Sequence, residues 1–237
     1  MKERLMLALD TSSEKEALNL AKELKSHVGA FKIGLQLFLS AGNRFVEKLV
    51  SEDLKIFLDL KLHDIPNTTS KAAIEITKLG VWMFNLHAIG GFEMMQRTVE
   101  AVAEFSQSTN LQKPKIIAVT VLTSMNQKNL EDVGISESIT SEVIKLSKLA
   151  LRAGLDGVVA SAQEAAQIKN ATKKEFMVVT PGIRPSFETS DDQRRVMSPK
   201  DAIRNGADFI VVGRPILRAQ NKIEAIEKIL EEIEETQ

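Results

Sequence analysis

Cysteine is absent from the 237 residues, which excludes disulfides, thiolate metal ligands and a cysteine nucleophile. That absence fits a reducing compartment, so a cytoplasmic location is expected. Net charge is nearly absent too: 31 Lys and Arg stand against 32 Asp and Glu. The chain as a whole therefore has no electrostatic reason to bind nucleic acid or an anionic membrane. No apolar run approaches the roughly 20 residues of a membrane span. The opening MKERLMLALD places basic residues before a short apolar stretch, but Asp10 stops it and no small-residue cleavage pattern follows; it reads as a first strand. There are only three histidines, without a His/Asp/Glu cluster of ligand spacing, so a required metal is not expected.

What is present is an alternation of short apolar runs with helical stretches. The runs are RLMLALD (4–10), AFKIG (30–34), KIFLDLK (55–61), MFNLHA (83–88), KIIAVTVLT (115–123), GVVAS (157–161), FMVVTPGI (176–183) and FIVVGR (209–214). In SSEKEALNLAKELKSH, Ala17, Leu20, Ala21 and Leu24 recur at helical spacing behind a serine cap. Near the end, Ile223, Ile226, Ile229, Leu230 and Ile233 form one stripe. Eight strand-helix units of roughly 30 residues match a (β/α)8 barrel, a single α/β domain over residues 1–237. A doubly wound open sheet shows the same alternation and stays open on periodicity alone. No glycine-rich phosphate fingerprint follows the first run, which weighs against it.

Polar residues gather where the runs end: Asp10, Lys32, Asp59 with Lys61, His87, Thr123, Pro181 to Arg184, and Gly213 with Arg214. A polar residue at one strand end can simply open a solvated loop. Recurrence in nearly every unit points to one shared rim, the place where such barrels carry their chemistry.

The third run is the most informative. Side chains alternate along a strand, so Phe57, Asp59 and Lys61 share one face, and Ile56, Leu58, Leu60 and Leu62 share the other. Helices must cover the apolar row, which turns Asp59 and Lys61 into the barrel mouth, roughly 7 Å apart along the strand. Charges placed there need partners. Lys32 and Asp10 supply both signs at neighbouring strand ends, and Asp64 lies just beyond. A structural ion-pair network closing the barrel is the alternative. Pro66 biases Ile65 to extended geometry and can start a helix, so a stiff turn follows Asp64 with Asn67 or Thr68 near the helix start. An ordinary capped loop reads the same way.

A second site has an anion-binding character. TPGIRP and VVGRP each pair a glycine, which lets backbone approach a ligand, with an arginine able to bind phosphate bidentately. Barrels often hold phosphate with the loops after strands seven and eight. The polar stretch between them, residues 185–199, is long for a compact connection and suggests a lid, or else a solvated loop with surface arginines.

These segments together resemble the orotidine 5'-phosphate decarboxylase family. LALD, FKIG, DLKLHDIPNT, VTVLTSM, TPGIRP, DQRRVMSP and VVGRP appear in that family's order, nearly end to end. The resemblance implies conversion of orotidine 5'-monophosphate to UMP and CO2 by a dimeric barrel, the last step of de novo pyrimidine synthesis, without a cofactor. It also implies roles. Lys32, Asp59 and Lys61 would form a charged row beside the reacting carbon. Asp64 would complete the row from the partner subunit, entering with Ile65 and Thr68. Asp10 would bind ribose with Lys32, Thr123 or its neighbour Ser124 would meet the base, and Pro181 would line the substrate site. Arg184, Gln193, Gly213 and Arg214 would hold the phosphate. The chain has no tyrosine, so a phosphate-contacting tyrosine that some relatives carry in the lid is missing, and Arg184 would take that task. Metal-dependent sugar-phosphate relatives share the Asp-x-Lys-x-x-Asp row, but usually place an acid where Lys32 stands and lack Ile-Pro after the last Asp.

Overall fold

The computed structural model describes residues 1–187 and 197–234. Eight parallel strands close into a barrel in sequence order, which settles the choice left open between a barrel and an open sheet. The strands are β1 (Leu5–Ala8), β2 (Ala30–Gly34), β3 (Ile56–Leu62), β4 (Met83–His87), β5 (Lys115–Val119), β6 (Gly157–Val159), β7 (Met177–Thr180) and β8 (Phe209–Val212). Helices α1 (Glu14–Leu24), α2 (Leu35–Val50), α3 (Pro66–Lys78) and α4 (Phe92–Thr109) follow the first four strands. After β5 come α5 (Gln127–Asp132) and α6 (Ile139–Arg152), and after β6 comes α7 (Ala165–Ala171). The last are α8 (Pro199–Arg204), α9 (Arg214–Leu217) and α10 (Lys222–Glu234).

The period-2 pattern of the strands splits the core into two layers. Leu5 and Leu7, Phe31 and Ile33, Ile56 and Leu58, and Phe84 and Leu86 face outward into one cluster with the helices. The opposite parity faces inward: Met6, Ala8, Ala30, Phe57, Met83, Ile117, Val119, Val159, Val179 and Val211 fill the barrel. The interior is therefore a packed plug, and polar inward residues fit only above it. At the lower end Trp82 packs edge-on against Phe209, ring centroids 5.5 Å apart.

Helix positions follow the sequence pattern closely. Ser13 caps α1 by accepting the Glu16 N–H at 3.2 Å, and Ala17, Leu20, Ala21 and Leu24 are its buried residues. On α10, Ile226, Ile229 and Ile233 are fully buried, each removing apolar area from water at a gain of roughly 1.5–3 kcal/mol. Pro66 takes the first position of α3 after extended Ile65, where its missing N–H costs nothing.

Several strands end sooner than their apolar runs: β1 at Ala8, β6 at Val159, β7 at Thr180 and β8 at Val212. The run 115–123 forms a strand only to Val119. Thr120 still makes the next ladder bond, its N–H and its hydroxyl both reaching the Val159 carbonyl at 3.2 and 3.0 Å, and Thr123 sits in the loop that follows.

Candidate active site

The inward face of β3 runs from apolar to charged as it leaves the plug. Phe57 is buried, and Asp59 and Lys61 stand above it. The Lys61 ammonium lies 2.7 Å from Asp59 Oδ1. From β2, the Lys32 ammonium lies 3.5 Å from Asp59 Oδ2 and 3.3 Å from Asp10 Oδ1. The four side chains form one chain of alternating charge: Asp10, Lys32, Asp59, Lys61. Lys32 and Asp59 are largely shielded, with 11% and 13% of their side-chain surface exposed. Their attraction is screened far less than that of surface pairs.

Burial pushes the Asp59 carboxyl up, but Lys32, Lys61 and hydrogen bonds from Lys61 and Asn85 outweigh it. The net position is below the ordinary carboxylate value, so Asp59 is ionised at neutral pH. His87, at the end of β4, is held below the usual imidazole value by burial, then by His63 and Lys61, against an opposing pull from Asp59. The His63 and His87 rings lie 5.5 Å apart.

Asn85 escaped the sequence reading. It is fully buried on β4, donates Nδ2 to Asp59 Oδ1 at 2.6 Å and accepts the Lys61 N–H on Oδ1 at 2.8 Å. Its signal was parity: Met83, Asn85 and His87 share the inward face of β4, and a neutral amide there needs a polar partner. The Lys61 backbone was not foreseen either. Its φ is 55°, a left-handed conformation uncommon outside glycine, and the β3–β4 register shifts between Leu58 and Leu62.

Over this charged row opens a cavity of about 260 Å³. It brings together Asp10, Lys32, Asp59, Lys61, Thr123, Pro181, Arg184, Gly213 and Arg214. Ser124 is not among its lining residues. Val119, Val121, Leu122, Val159, Val179, Ile183 and Val211 supply an apolar wall that the sequence reading had not assigned to the site. Arg184 and Arg214 are partly buried rather than surface residues. Two glycines shape this end: Gly182 turns at φ 78°, and a Cβ on Gly213 would stand 2.8 Å from Asp10 Oδ2. Arg184 N–H bonds the Met197 carbonyl at 3.0 Å, tying the two described ends of the 185–199 segment together. Gln193 lies outside the described residues.

Asp64, Ile65 and Thr68 do not line this cavity. All three are exposed, and the Asp64 carboxylate accepts its neighbour Ile65's N–H at 2.7 Å. Among the described residues no group of three or more His, Cys, Asp or Glu is placed to hold a metal ion, and no helix is long and apolar enough to cross a membrane.

The family model of the orotidine 5'-phosphate decarboxylase / HUMPS family matches residues 3–229. The chain belongs to this family. Orotidine 5'-phosphate decarboxylase of Geotalea uraniireducens (strain Rf4) is 48% identical over 231 residues, covering 97% of this chain and 95% of the relative. That of Syntrophomonas wolfei is 47% identical over 235 residues, 98% of each. Among solved family structures, the orotidine 5'-phosphate decarboxylase from Lactobacillus acidophilus superposes with a TM-score of 0.85 at 34% identity, covering 97% of this chain and 98% of that one. The family's decarboxylase from Pyrococcus horikoshii OT3 gives 0.74 at 28%, over 97% and 99%.

Proposed function

We infer that the chain is an orotidine 5'-phosphate decarboxylase, releasing CO2 from orotidine 5'-monophosphate to give UMP, the last step of pyrimidine nucleotide synthesis. The observation that carries this reading is the unbroken Asp10, Lys32, Asp59, Lys61 row at the floor of the cavity, in a chain of that family. Lys32 also separates it from the metal-dependent sugar-phosphate members, which usually carry an acid there.

The chemistry follows from where electrons go. When the bond between C6 and the carboxylate breaks, CO2 departs and its electron pair stays on C6 in the plane of the ring, out of reach of the pyrimidine π system. Only charge placed beside C6 can stabilise that pair. Lys61 as ammonium does so and then gives C6 its proton; the amine left behind regains a proton from solvent. Asp59 holds Lys61 in place and, next to the substrate carboxylate, adds repulsion that CO2 loss relieves. Lys32 keeps Asp59 ionised and, with Asp10, binds the ribose. Thr123 meets the base and Pro181 lines its pocket, while Arg184, Gln193, Gly213 and Arg214 hold the phosphate. The apolar wall lowers the local dielectric, which strengthens each of these interactions.

The working unit is a homodimer in which Asp64, Ile65 and Thr68 enter the partner's site, in the cytoplasm. Three things support the dimer: Asp64 is exposed and outside its own cavity, Ile65 is 65% exposed, and apolar Leu35, Leu39 and Ile89 are also uncovered shortly after β2 and β4. Enzymes lower barriers by roughly 8–23 kcal/mol, and one lysine does not supply that. Binding of the remote phosphate contributes by driving desolvation at C6.

Incubation of the purified protein with orotidine 5'-monophosphate, with products separated by ion-exchange chromatography, tests the activity. UMP and CO2 in equal amounts are expected. Recovery of unchanged substrate from folded protein would overturn the reading.

A further inference from the structure

We propose that Asn85 is a positioning residue that fixes Asp59 and Lys61 relative to each other; this rests on the decarboxylase reading above. A single buried amide spans both members of the pair. Its Nδ2 donates to Asp59 Oδ1 at 2.6 Å, and its Oδ1 accepts the Lys61 N–H at 2.8 Å. Only one orientation of the amide satisfies both bonds, because a carboxylate accepts and a backbone N–H donates. Asp59 Oδ1 is thereby shared between Asn85 and the Lys61 ammonium at 2.7 Å, while Oδ2 faces Lys32 at 3.5 Å.

The backbone gives the second reason. Lys61 is left-handed, and the β3–β4 ladder is out of register between Leu58 and Leu62. At that irregularity the side chain of Asn85 accepts the N–H that a regular ladder would direct to a backbone carbonyl. It holds the Lys61 backbone in the left-handed conformation seen here, from which the side chain reaches both Asp59 and the cavity. An apolar residue at 85 would leave that N–H unpaired and Asp59 Oδ1 held by the Lys61 ammonium alone.

A purely structural amide would affect stability alone, so the test reads catalysis and titration. Asn85→Ala is expected to lower kcat about 100-fold, as a misplacement of about 1 Å does, with KM changed less than about threefold. Asn85→Asp keeps the acceptor for the Lys61 N–H but sets an anion against Asp59, whose other charged and titratable neighbours are Lys32, Lys61 and His87. The acid limb of its kcat profile should move up by about one pH unit or more. A folded Asn85→Ala with wild-type kcat overturns the proposal, as does an Asn85→Asp profile superimposable on wild type. If Asn85→Ala does not fold, the Asn85→Asp profile decides alone. A wild type that leaves orotidine 5'-monophosphate untouched would overturn the activity instead. Carbon-13 NMR titration of the Asp59 carboxyl in wild type and Asn85→Asp would then still report whether Asn85 holds it.

Discussion

Two ammonium groups and one amide converge on the two oxygens of Asp59. Its removal leaves Lys32 and Lys61 close together without their shared counter-charge. Asp59→Ala is expected to destabilise the fold by about 2 kcal/mol in urea unfolding, less than a fully buried pair because Lys61 is 36% exposed. The pH dependence follows from the lowered carboxyl. Its stabilisation is present above the ordinary unfolded value of about 3.9 and is lost only as pH falls through the lower folded value. The stability gap between wild type and Asp59→Asn should persist down to about pH 4 and close below it; a gap already closed at pH 6 would contradict the assignment. Arg214 belongs to the other end of the substrate. Arg214→Ala should lower kcat/KM by far more for orotidine 5'-monophosphate than for orotidine, and equal losses on both would count against a phosphate clamp.

At the scale of elements, the barrel separates chemistry from stability by its two ends. Below the plug, Asp156 and Asp208 enter β6 and β8 in the same way. Asp156 accepts the Ile116 N–H at 2.8 Å and the Lys115 ammonium at 3.1 Å. Asp208 accepts the Val178 N–H at 2.7 Å and the Lys169 ammonium at 2.6 Å. Asp208→Ala, at the end opposite the cavity, should cost about 2 kcal/mol of stability with kcat unchanged; a large fall in kcat at full folding would contradict that division. The elements also show what the sequence could and could not tell. Strand positions and inward faces were legible because alternation of apolar and polar residues is fixed by the pleat. The bulge at Lys61 was not, since a lysine at positive φ has no composition signature. Asn85 was missed for a related reason: its parity marks it as inward, but its partners, Asp59 and the Lys61 N–H, come from β3, which only the fold brings beside it.

At the scale of the whole molecule, one chain supplies most of the charged row and leaves Asp64 outside its own cavity. In the homodimer proposed above, each chain would lend Asp64, Ile65 and Thr68 to the other. Two crippled variants should then complement. Lys61→Ala and Asp64→Ala, each nearly inactive alone, should regain about a quarter of wild-type activity after mixing and subunit exchange, because half the dimers then hold one intact site. No recovery from demonstrably mixed dimers would place Asp64 in its own chain's site.

The most direct test of the charged row as catalyst is the loss of orotidine 5'-monophosphate absorbance after exhaustive dialysis against EDTA, followed for wild type and Lys61→Ala in parallel. Wild type should convert the substrate at an undiminished rate, and folded Lys61→Ala should be slower by roughly 10,000-fold or more. Loss of wild-type turnover in EDTA, or a substantial residual rate in Lys61→Ala, would contradict the mechanism.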